Sequence, residues 1–236
     1  ITLFILLSIL VIVFYREYYL HQSDLEKIPI RIHVNGSRGK SSVTRLIAAG
    51  LRHGGFRTMA KTTGSSPRII DTNGTDREIQ RLRSASIGEQ VKLLRFFSKQ
   101  KLDAVVMECM AVQPEYQWIS EHKMLKSTMG VITNIRPDHI EEMGPTMTDI
   151  TKSLGNTIPG NKAIIIAPSD HQNTLQKIAN DKNSKLIITD PDEIESSYME
   201  KFSHLEHKEN VALSLEVCMQ LGIEKDTALE GMLTAR

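Results

Sequence analysis

The feature that most constrains the fold is a glycine-rich turn between a strand pattern and a helix pattern. Residues 30–34 read IRIHV, with apolar side chains at every second position, which is the spacing of a β-strand. Residues 36–42 read GSRGKSS, and apolar residues then recur at helical spacing as far as Leu51. A strand that runs through such a turn into a helix predicts an α/β domain whose ligand site lies at the turn.

The composition of the turn suits phosphate. Glycines let backbone N–H groups surround phosphate oxygens, and the helix start adds free N–H groups and a positive dipole end. Lys40 would reach the β- and γ-phosphates of ATP, and the Ser41 hydroxyl would bind Mg²⁺. The form present is the short G-x-x-G-K-S, since the longer common pattern needs a glycine at Val34. The alternative is a basic turn before an ordinary helix. The predicted cofactors are therefore ATP and Mg²⁺, with nucleotide contacts from Gly36, Ser37, Arg38, Gly39, Lys40, Ser41 and Ser42.

Charge and cysteine content narrow the class of protein. The 236 residues carry a formal net charge of +1, and this balance argues against nucleic acid as the main partner. Cys109 and Cys218 form no C-x-x-C pair, so a zinc site or a disulfide framework is not expected. Two isolated cysteines fit a reducing cytosol.

The first fifteen residues, ITLFILLSILVIVFY, are uncharged and almost wholly apolar. A membrane span needs about 20 apolar residues, and the tyrosines that follow would extend this run into the membrane interface. A cleaved signal peptide is one alternative, and a buried core helix is another. Arg16, Lys27 and Arg31 lie on the C-terminal side, which predicts that this side faces the cytoplasm. The predicted division is a single membrane anchor at 1–20, a linker at 21–29 and an ATP-binding domain at 30–236.

The remaining chain alternates between strand and helix patterns. Strands are predicted at 56–61, 103–109, 129–134, 162–167 and 185–189, and helices at 86–101, 148–158, 171–182, 210–221 and 226–233. Such alternation predicts an α/β fold with a mostly parallel sheet flanked by helices. Residues 62–83 are rich in Thr, Ser, Gly, Asn and Asp and are predicted to form a long loop.

Polar side chains at strand ends and in loops are the next candidates for the site. Glu108 ends a buried strand, where open α/β sheets bind ligands, although a solvated strand end is the alternative. Ser66 and Arg68, in the predicted long loop, are candidate substrate contacts, and an ordinary flexible loop is the alternative. Arg136 is a candidate for holding a carboxylate through its forked guanidinium, although surface arginines are common.

Several of these motifs together resemble the Mur ligase and folylpolyglutamate synthase family. The matching residues are 35–42, Glu108, the T-N-I of 133–135, Asp138, His139, Gly144 and Asn210. The resemblance implies a P-loop central domain that binds ATP, with Asn210 near the adenine. It also implies a metal site at Ser41, Glu108 and His139, with Lys40 and His139 as catalytic residues. For His139 a structural pair with Asp138 is the alternative, and Asn210 is equally suited to an N-cap.

Within the family, the runs at 61–64, 87–90, 108–112 and 143–146 resemble the ligase subunits of poly-γ-glutamate synthases. That resemblance implies an ATP-dependent amide ligase that adds glutamate to a growing capsule polymer through an acyl phosphate. Its implied partners are glutamate, the polymer acceptor, the membrane and further membrane subunits of a synthesis and export complex.

Two departures from the family pattern qualify this interpretation. A C-terminal ligase domain is expected to be absent, since the chain ends at Arg236, and a family lysine that is often carbamylated corresponds to Leu154, near Lys152. The competing hypotheses are a P-loop kinase or ATPase, a folylpolyglutamate-type ligase, and a non-catalytic or partner-dependent ATP-binding subunit.

Overall fold

A computed structural model describes residues 2–64, 66–80 and 88–235. Its centre is an eight-stranded sheet with strand order β4-β3-β2-β5-β1-β6-β7-β8. The strands are β1 (Ile30–Asn35), β2 (Thr58–Thr62), β3 (Arg68–Ile70), β4 (Asp76–Glu78), β5 (Ala104–Glu108), β6 (Met129–Ile132), β7 (Ala163–Ile166) and β8 (Lys185–Ile188).

Helices flank the sheet on both faces. They are α1 (Thr2–Glu26), α2 (Lys40–His53), α3 (Glu89–Phe97), α4 (Pro114–Ile119), α5 (Ile140–Met143), α6 (Met147–Leu154), α7 (Gln172–Asp181), α8 (Ser196–Met199), α9 (Lys208–Gln220) and α10 (Lys225–Met232). A π-helical turn, Ser120–Leu125, follows α4 directly. One hydrophobic core packs α2, α9 and α10 against the sheet, and a second packs α3 and the end of α1.

The parallel strands explain where a ligand site forms. β2, β5, β1, β6, β7 and β8 are mutually parallel, which confirms the predicted mostly parallel sheet. Every residue of β5 is buried, as expected for a central strand covered on both faces. The chain builds β2 and β5 on one side of β1 and then crosses to β6 on the other side. The carboxyl end of β1 therefore lies at the reversal point of the sheet, where α/β folds bind ligands.

The prediction of a long loop at 62–83 is wrong for residues 68–70 and 76–78, which form strands. β3 and β4 form an antiparallel hairpin at the edge of the sheet, next to β2. Asp71 shapes its turn by accepting hydrogen bonds from the N–H groups of Asn73 and Thr75. Strands of three residues are too short to show an alternating pattern, so the sequence carried only the turn signal. Residues 81–83 lie outside the described part.

The predicted linker at 21–29 is also wrong for residues 21–26, because α1 continues to Glu26. The polar composition of this segment suggested a linker, but tertiary packing stabilises the helix: His21, Asp24 and Leu25 are buried. The predicted helix at 86–101 begins at Glu89 in the structure, and residues 86 and 87 lie outside the described part. The other predicted strands and helices are confirmed to within a few residues, whereas α4, α5 and α8 were not predicted.

The apolar N-terminal segment forms the exposed half of α1. Within the described residues, α1 alone is long and apolar enough to cross a membrane, with a mean hydropathy of 1.9 and no buried residue in its most apolar part. A signal sequence has the same properties, so the membrane anchor at 1–20 stays a prediction.

Candidate active site

The glycine loop leaves β1 after Asn35 and enters α2 at Lys40. Gly36 and Gly39 have positive φ angles of 134° and 80°, a backbone region that strongly favours glycine. A Cβ atom on Gly36 would lie 2.0 Å from Thr133 Oγ1, and one on Gly39 would lie 2.9 Å from Asn210 Oδ1. Both glycines are therefore required by the backbone conformation and by the space around it.

Thr133 and Asn134, at the end of β6, hold the loop in this shape. Thr133 Oγ1 and Asn134 Nδ2 both donate to the Arg38 carbonyl, over 2.6 and 3.0 Å. In return, Arg38 N donates to Asn134 Oδ1 and Ser37 N donates to the Asn134 carbonyl, each over 3.0 Å. The N–H groups of Ser37 and Arg38 are thus engaged within the protein. The N–H groups of the first turn of α2, from Lys40 to Ser42, have no intrahelical acceptor and are the better donors for an anion.

Ser37 ties the loop to the chain beyond β6. Its hydroxyl donates to the Arg136 carbonyl over 2.9 Å and accepts from Arg136 N over 3.0 Å. The backbone of Arg136 is fixed by this pair, while its side chain remains exposed. Ser37 therefore supports the loop through a fully occupied side chain.

Lys40 curls back over its own loop. Its ammonium group donates to the Gly36 carbonyl over 2.7 Å and to the Ser37 carbonyl over 3.1 Å. This conformation places the ammonium group beside the loop carbonyls, where it is partly shielded from solvent. Both of these contacts are with neutral carbonyl groups. They leave the positive charge of Lys40 unneutralised, so that charge is available to attract a phosphate.

Glu108, at the carboxyl end of β5, accepts three hydrogen bonds from two residues. Its Oε2 accepts from Ser41 Oγ and from Thr63 N, each over 2.7 Å, and its Oε1 accepts from Thr63 Oγ1 over 2.5 Å. Glu108 is only 2% exposed. Sequence reasoning predicted Ser41 and Glu108 but missed Thr63, which follows β2 at the same sheet edge. Its position after a strand in the K-T-T-G run was the available signal.

His139 stands at the rim of the same region. It precedes α5 in a left-handed conformation, with φ 46°, and its side chain is 49% exposed. Its ring nitrogens lie 3.9 Å from carboxylate oxygens of Asp138 and Glu142. Asp138 also pairs with Arg38 of the glycine loop, over 3.3 Å. The pair with Asp138 considered as an alternative is present, but at a separation too long for a hydrogen bond.

Two cavities flank the glycine loop. The smaller, of about 290 Å³, is lined by Lys40, Thr63, Glu108 and His139 among others. Lys40 of α2, Glu108 of β5 and His139, which precedes α5, are all predicted site residues. All three therefore line one cavity. The larger cavity, of about 740 Å³, lies beyond Gly39 and Ser42 and includes Arg38, Asn134, Arg136 and Asn210.

Asn210 lies on the larger cavity as the third residue of α9. The helix begins at Lys208 with His207 at the cap position, so the N-cap alternative for Asn210 is wrong. Its amide nitrogen donates to Glu206 Oε1 over 2.7 Å, and the residue is 5% exposed. The amide is thus held against Gly39 by a carboxylate that sequence reasoning did not identify.

Ser66 and Arg68 lie on the edge hairpin. Ser66 Oγ donates to Glu78 Oε1 over 2.9 Å, and Arg68 pairs with Asp76 over 3.5 Å. Within the described residues, neither side chain is among those that line the two cavities beside the glycine loop. Their contacts stabilise the hairpin, so a substrate role for them stays a prediction.

A buried polar layer lies beneath the loop. Asn35 Nδ2 donates to Gln117 Oε1 over 2.9 Å, and His33 Nδ1 lies 2.8 Å from Glu121 Oε2. Burial by itself lowers the pKa of His33, but the Cys109 thiol and the Glu121 carboxylate outweigh burial and raise that pKa to about 10. In this buried contact the Glu121 carboxylate thus favours the protonated form of the His33 imidazole.

The donors present suit a magnesium ion better than a transition metal. Across residues 2–64, 66–80 and 88–235, no three His, Cys, Asp or Glu side chains converge as a metal-binding group. Mg²⁺ needs few protein ligands, because it retains several waters and shares phosphate oxygens. A buried carboxylate in contact with a serine hydroxyl, beside a lysine-bearing glycine loop, fits that requirement.

These features define an α/β domain with a lysine-bearing glycine loop and an adjacent buried carboxylate, an arrangement that suits a phosphate and a divalent cation. Residues 34–229 match the Mur ligase middle domain, and the chain belongs to the Mur ligase family. The resemblance predicted from the motifs is thereby confirmed.

Two curated relatives share the greater part of this chain. "PGA synthase CapB" of Bacillus subtilis is 38% identical over 217 residues, which are 91% of this chain and 55% of that protein. "Capsule biosynthesis protein CapB" of Bacillus anthracis is 38% identical over 218 residues, which are 91% of this chain and 47% of that protein. The chain thus spans about half the length of these relatives.

Solved structures share the fold at low identity. A Yersinia pestis bifunctional folylpolyglutamate synthase/dihydrofolate synthase, complexed with AMPPNP and Mn, matches with a TM-score of 0.70 and 16% identity, over 94% of this chain and 62% of that one. Escherichia coli FolC in complex with DHPP and ADP matches with a TM-score of 0.67 and 17% identity, over 93% of this chain and 61% of that one. These likenesses confirm the predicted fold.

Proposed function

We propose that this chain carries the ATP-binding centre of an amide ligase that adds glutamate to a growing poly-γ-glutamate capsule polymer. The observation that carries the proposal is the direct contact of Ser41 with the buried Glu108, beside Lys40 and the glycine loop. Two relatives named for PGA synthesis and capsule biosynthesis support the choice of polymer. A folylpolyglutamate synthase structure with Mn, AMPPNP and L-glutamate bound supports ATP, a divalent metal and glutamate as ligands.

The proposed reaction has two steps. A carboxylate oxygen of the polymer attacks the γ-phosphorus of ATP, so that ADP leaves and an acyl phosphate forms. The amine nitrogen of the next glutamate then attacks the acyl carbon, phosphate leaves, and the nitrogen loses a proton to give an amide. Both reactants in the first step are anions, so charge neutralisation is the main demand on the site.

The chain meets this demand with a small number of groups. Lys40 places a cation at the loop, and the first-turn N–H groups of α2 donate to phosphate oxygens. Ser41, Glu108 and His139 would hold Mg²⁺, which lowers the charge of the phosphate oxygens. Asn210 and Arg136 both border the larger cavity, which has room for the nucleoside. The role proposed for Arg136 is to bind a substrate carboxylate through its forked guanidinium.

The proposed location is the cell membrane, with α1 as a single anchor and the nucleotide site in the cytoplasm, where ATP is available. The exposed apolar half of α1 supports the anchor. Membrane subunits of a polymer synthesis and export complex are the proposed partners.

An amide-forming assay tests this function. The chain is incubated with ATP, Mg²⁺, a γ-glutamyl acceptor and labelled glutamate, with and without cognate membrane fractions. The proposal expects label in polymer and ADP release that requires both acceptor and glutamate. ADP release without either substrate would instead indicate a kinase or ATPase. ATP binding with no incorporation, even beside membrane partners, would indicate a non-catalytic subunit.

A further inference from the structure

The first observation concerns the two halves of α1. Residues 2–15 contact solvent on all sides, whereas the last turns of the helix are docked on the domain. Leu25 packs with Phe97 and Leu125 in the second hydrophobic core. His21 Nε2 lies 2.6 Å from the Met124 carbonyl. The apolar half of α1 is therefore joined to the domain through a packed helix end.

Arg31 stabilises the junction between α1 and the rest of the domain. Its guanidinium donates to the carbonyls of Leu25 and Ile28, over 3.1 and 2.6 Å, and to those of Leu125 and Lys126, over 3.1 and 2.9 Å. One half-buried side chain thus connects the end of α1 with the end of the π-helical turn. Only residues 27–29 separate α1 from β1, which lies inside the sheet. The direction of α1 relative to the sheet is consequently fixed.

The contacts between α1 and the segment 95–98 show where α3 lies along α1. Arg95 Nη2 donates to Glu17 Oε2 over 2.8 Å, and Ser98 Oγ donates to Asp24 Oδ1 over 2.8 Å. Glu17 lies about two helical turns nearer the apolar end than Asp24, at 3.6 residues per turn. α3 therefore lies beside α1 at the level of Glu17, two positions after the apolar run of residues 1–15 ends.

α3 and the 3-10 turn that follows it, Ser98–Gln100, carry a basic stripe with one aromatic ring. Lys92, Phe96 and Lys99 are exposed at the spacing of a single helix face and form the α3 stripe together with Arg95. Arg95 is half-buried and pairs with Glu17 and Asp24, so among the described residues the two lysines carry the unpaired charge considered for this surface. Phe96 is 44% exposed although it is a large apolar side chain. Lys126 reaches in the same direction, with its ammonium 5.9 Å from the centre of the Tyr18 ring. Basic residues mixed with aromatics are typical of surfaces that lie in a membrane interface.

We propose that the α3 stripe rests on anionic phospholipid headgroups when α1 is inserted in the bilayer. This inference rests on the membrane anchor given under the proposed function. Lipid is favoured as the occupant because α1 is apolar on all faces rather than on one stripe, and because the cations complement an anionic leaflet. Since β1 runs from this junction to the glycine loop, both cavities would lie at the end of the sheet away from the bilayer.

The first test reads the polarity at single labelled positions. Cys109 and Cys218 are buried, so an added surface cysteine can be labelled selectively in the folded protein. The full chain carrying Phe96→Cys with a polarity-sensitive fluorophore is placed in phosphatidylglycerol or phosphatidylcholine vesicles. Lys177→Cys on α7, toward the opposite edge of the sheet, is the matched control. We expect a blue shift and a loss of quenching by aqueous acrylamide at position 96 in phosphatidylglycerol, and no change at position 177.

The second test removes the charges of the stripe. Lys92→Glu with Lys99→Glu should restore aqueous quenching at position 96. The ratio of docked to undocked label should fall by roughly 30-fold or more, the effect of losing two basic residues at an anionic surface. Lys177→Glu with Lys185→Glu is the control of equal charge and should leave the signal unchanged.

Four outcomes would overturn the inference. The label at position 96 stays open to water in phosphatidylglycerol vesicles, or it is shielded equally in both lipids and in the charge-reversed variant. Alternatively, shielding requires proteins from a membrane fraction, which would identify a protein partner. Extraction of the chain from vesicles by alkaline carbonate would overturn the anchor and this inference together. The ligation assay in detergent tests catalysis separately, so the two failures are distinguishable.

Discussion

The two cavities beside the glycine loop are built in different ways. The smaller one is lined by charged side chains that hydrogen bonds within the protein hold in place. Glu108 accepts three such bonds, and the ammonium group of Lys40 donates to loop carbonyls. The larger one is bordered by exposed residues such as Arg38 and Arg136, with Asn210 as its buried anchor. Preorganised charge is most valuable where charge develops during reaction. The smaller cavity is therefore expected to govern turnover and the larger one nucleotide affinity.

The strongest test of this division is Lys40→Ala. Loss of the cation at the phosphates should abolish nucleotide binding or lower ADP release by about 10²- to 10³-fold, the usual effect of removing a preorganised donor. Steady-state ADP release with glutamate and acceptor present measures the effect, and Lys177→Ala serves as a control on an exposed lysine. Unchanged ATP affinity and turnover would contradict the assignment of the loop.

Glu108→Gln tests the acidic side of the smaller cavity. The amide keeps the size of the side chain but loses the negative charge that Ser41 and Thr63 now surround. Turnover at saturating ATP should fall by up to about 100-fold, with a higher Mg²⁺ requirement. Thermal unfolding of the variant checks that it folds. A wild-type Mg²⁺ titration would remove Glu108 from the metal site.

His139→Ala should have a smaller effect, since this ring lies at the rim and is half exposed. We expect the Mg²⁺ concentration for half-maximal activity to rise by about tenfold, with little change in the maximal rate. His53→Ala is the matched histidine control, because this side chain is 44% exposed and lines neither cavity. An unaltered Mg²⁺ titration would exclude His139 from the metal shell.

Asn210→Ala examines the larger cavity. Removing one hydrogen-bonding amide should weaken ATP binding by about fivefold, equivalent to roughly 1 kcal/mol, and leave the maximal rate unchanged. Equilibrium binding of a fluorescent ATP analogue and the KM for ATP measure the two effects. A fall in the maximal rate without a change in KM would reverse the division of labour between the cavities.

The buried layer beneath the smaller cavity gives a prediction for pH. Because the pKa of His33 is raised from 6.5 to about 10 in the folded protein, its contribution to stability is complete below pH 6.5 and is lost as pH rises toward about 10. The difference in unfolding free energy between the wild type and His33→Gln should shrink across this range. Lys182, whose pKa burial lowers to about 8, also titrates in this range and interacts with Glu121, so the same comparison is repeated in a Lys182→Met background. A difference that is independent of pH would contradict the raised pKa of His33.

The sequence predictions were accurate where the structure depends on residues close together in the chain. They were inaccurate where distant residues decide the structure. The strand, glycine turn and helix at residues 30–53 were predictable because periodicity and glycine content act locally. The hairpin of β3 and β4 was missed because three-residue strands carry no period. The docked end of α1 was missed because its polar residues stabilise the helix only through partners such as Ser98 and Met124, more than 70 positions away.

The sequence by itself determined the glycine loop, the parallel α/β class and the apolar N-terminal segment, since each depends on residue type and local spacing. Tertiary structure decided that Thr63 joins Ser41 at Glu108 and that Thr133 and Asn134 shape the loop. It also decided that two cavities, rather than one, flank that loop. These contacts depend on the order of strands in the sheet, which places β2, β5, β1 and β6 side by side although they are far apart in the chain.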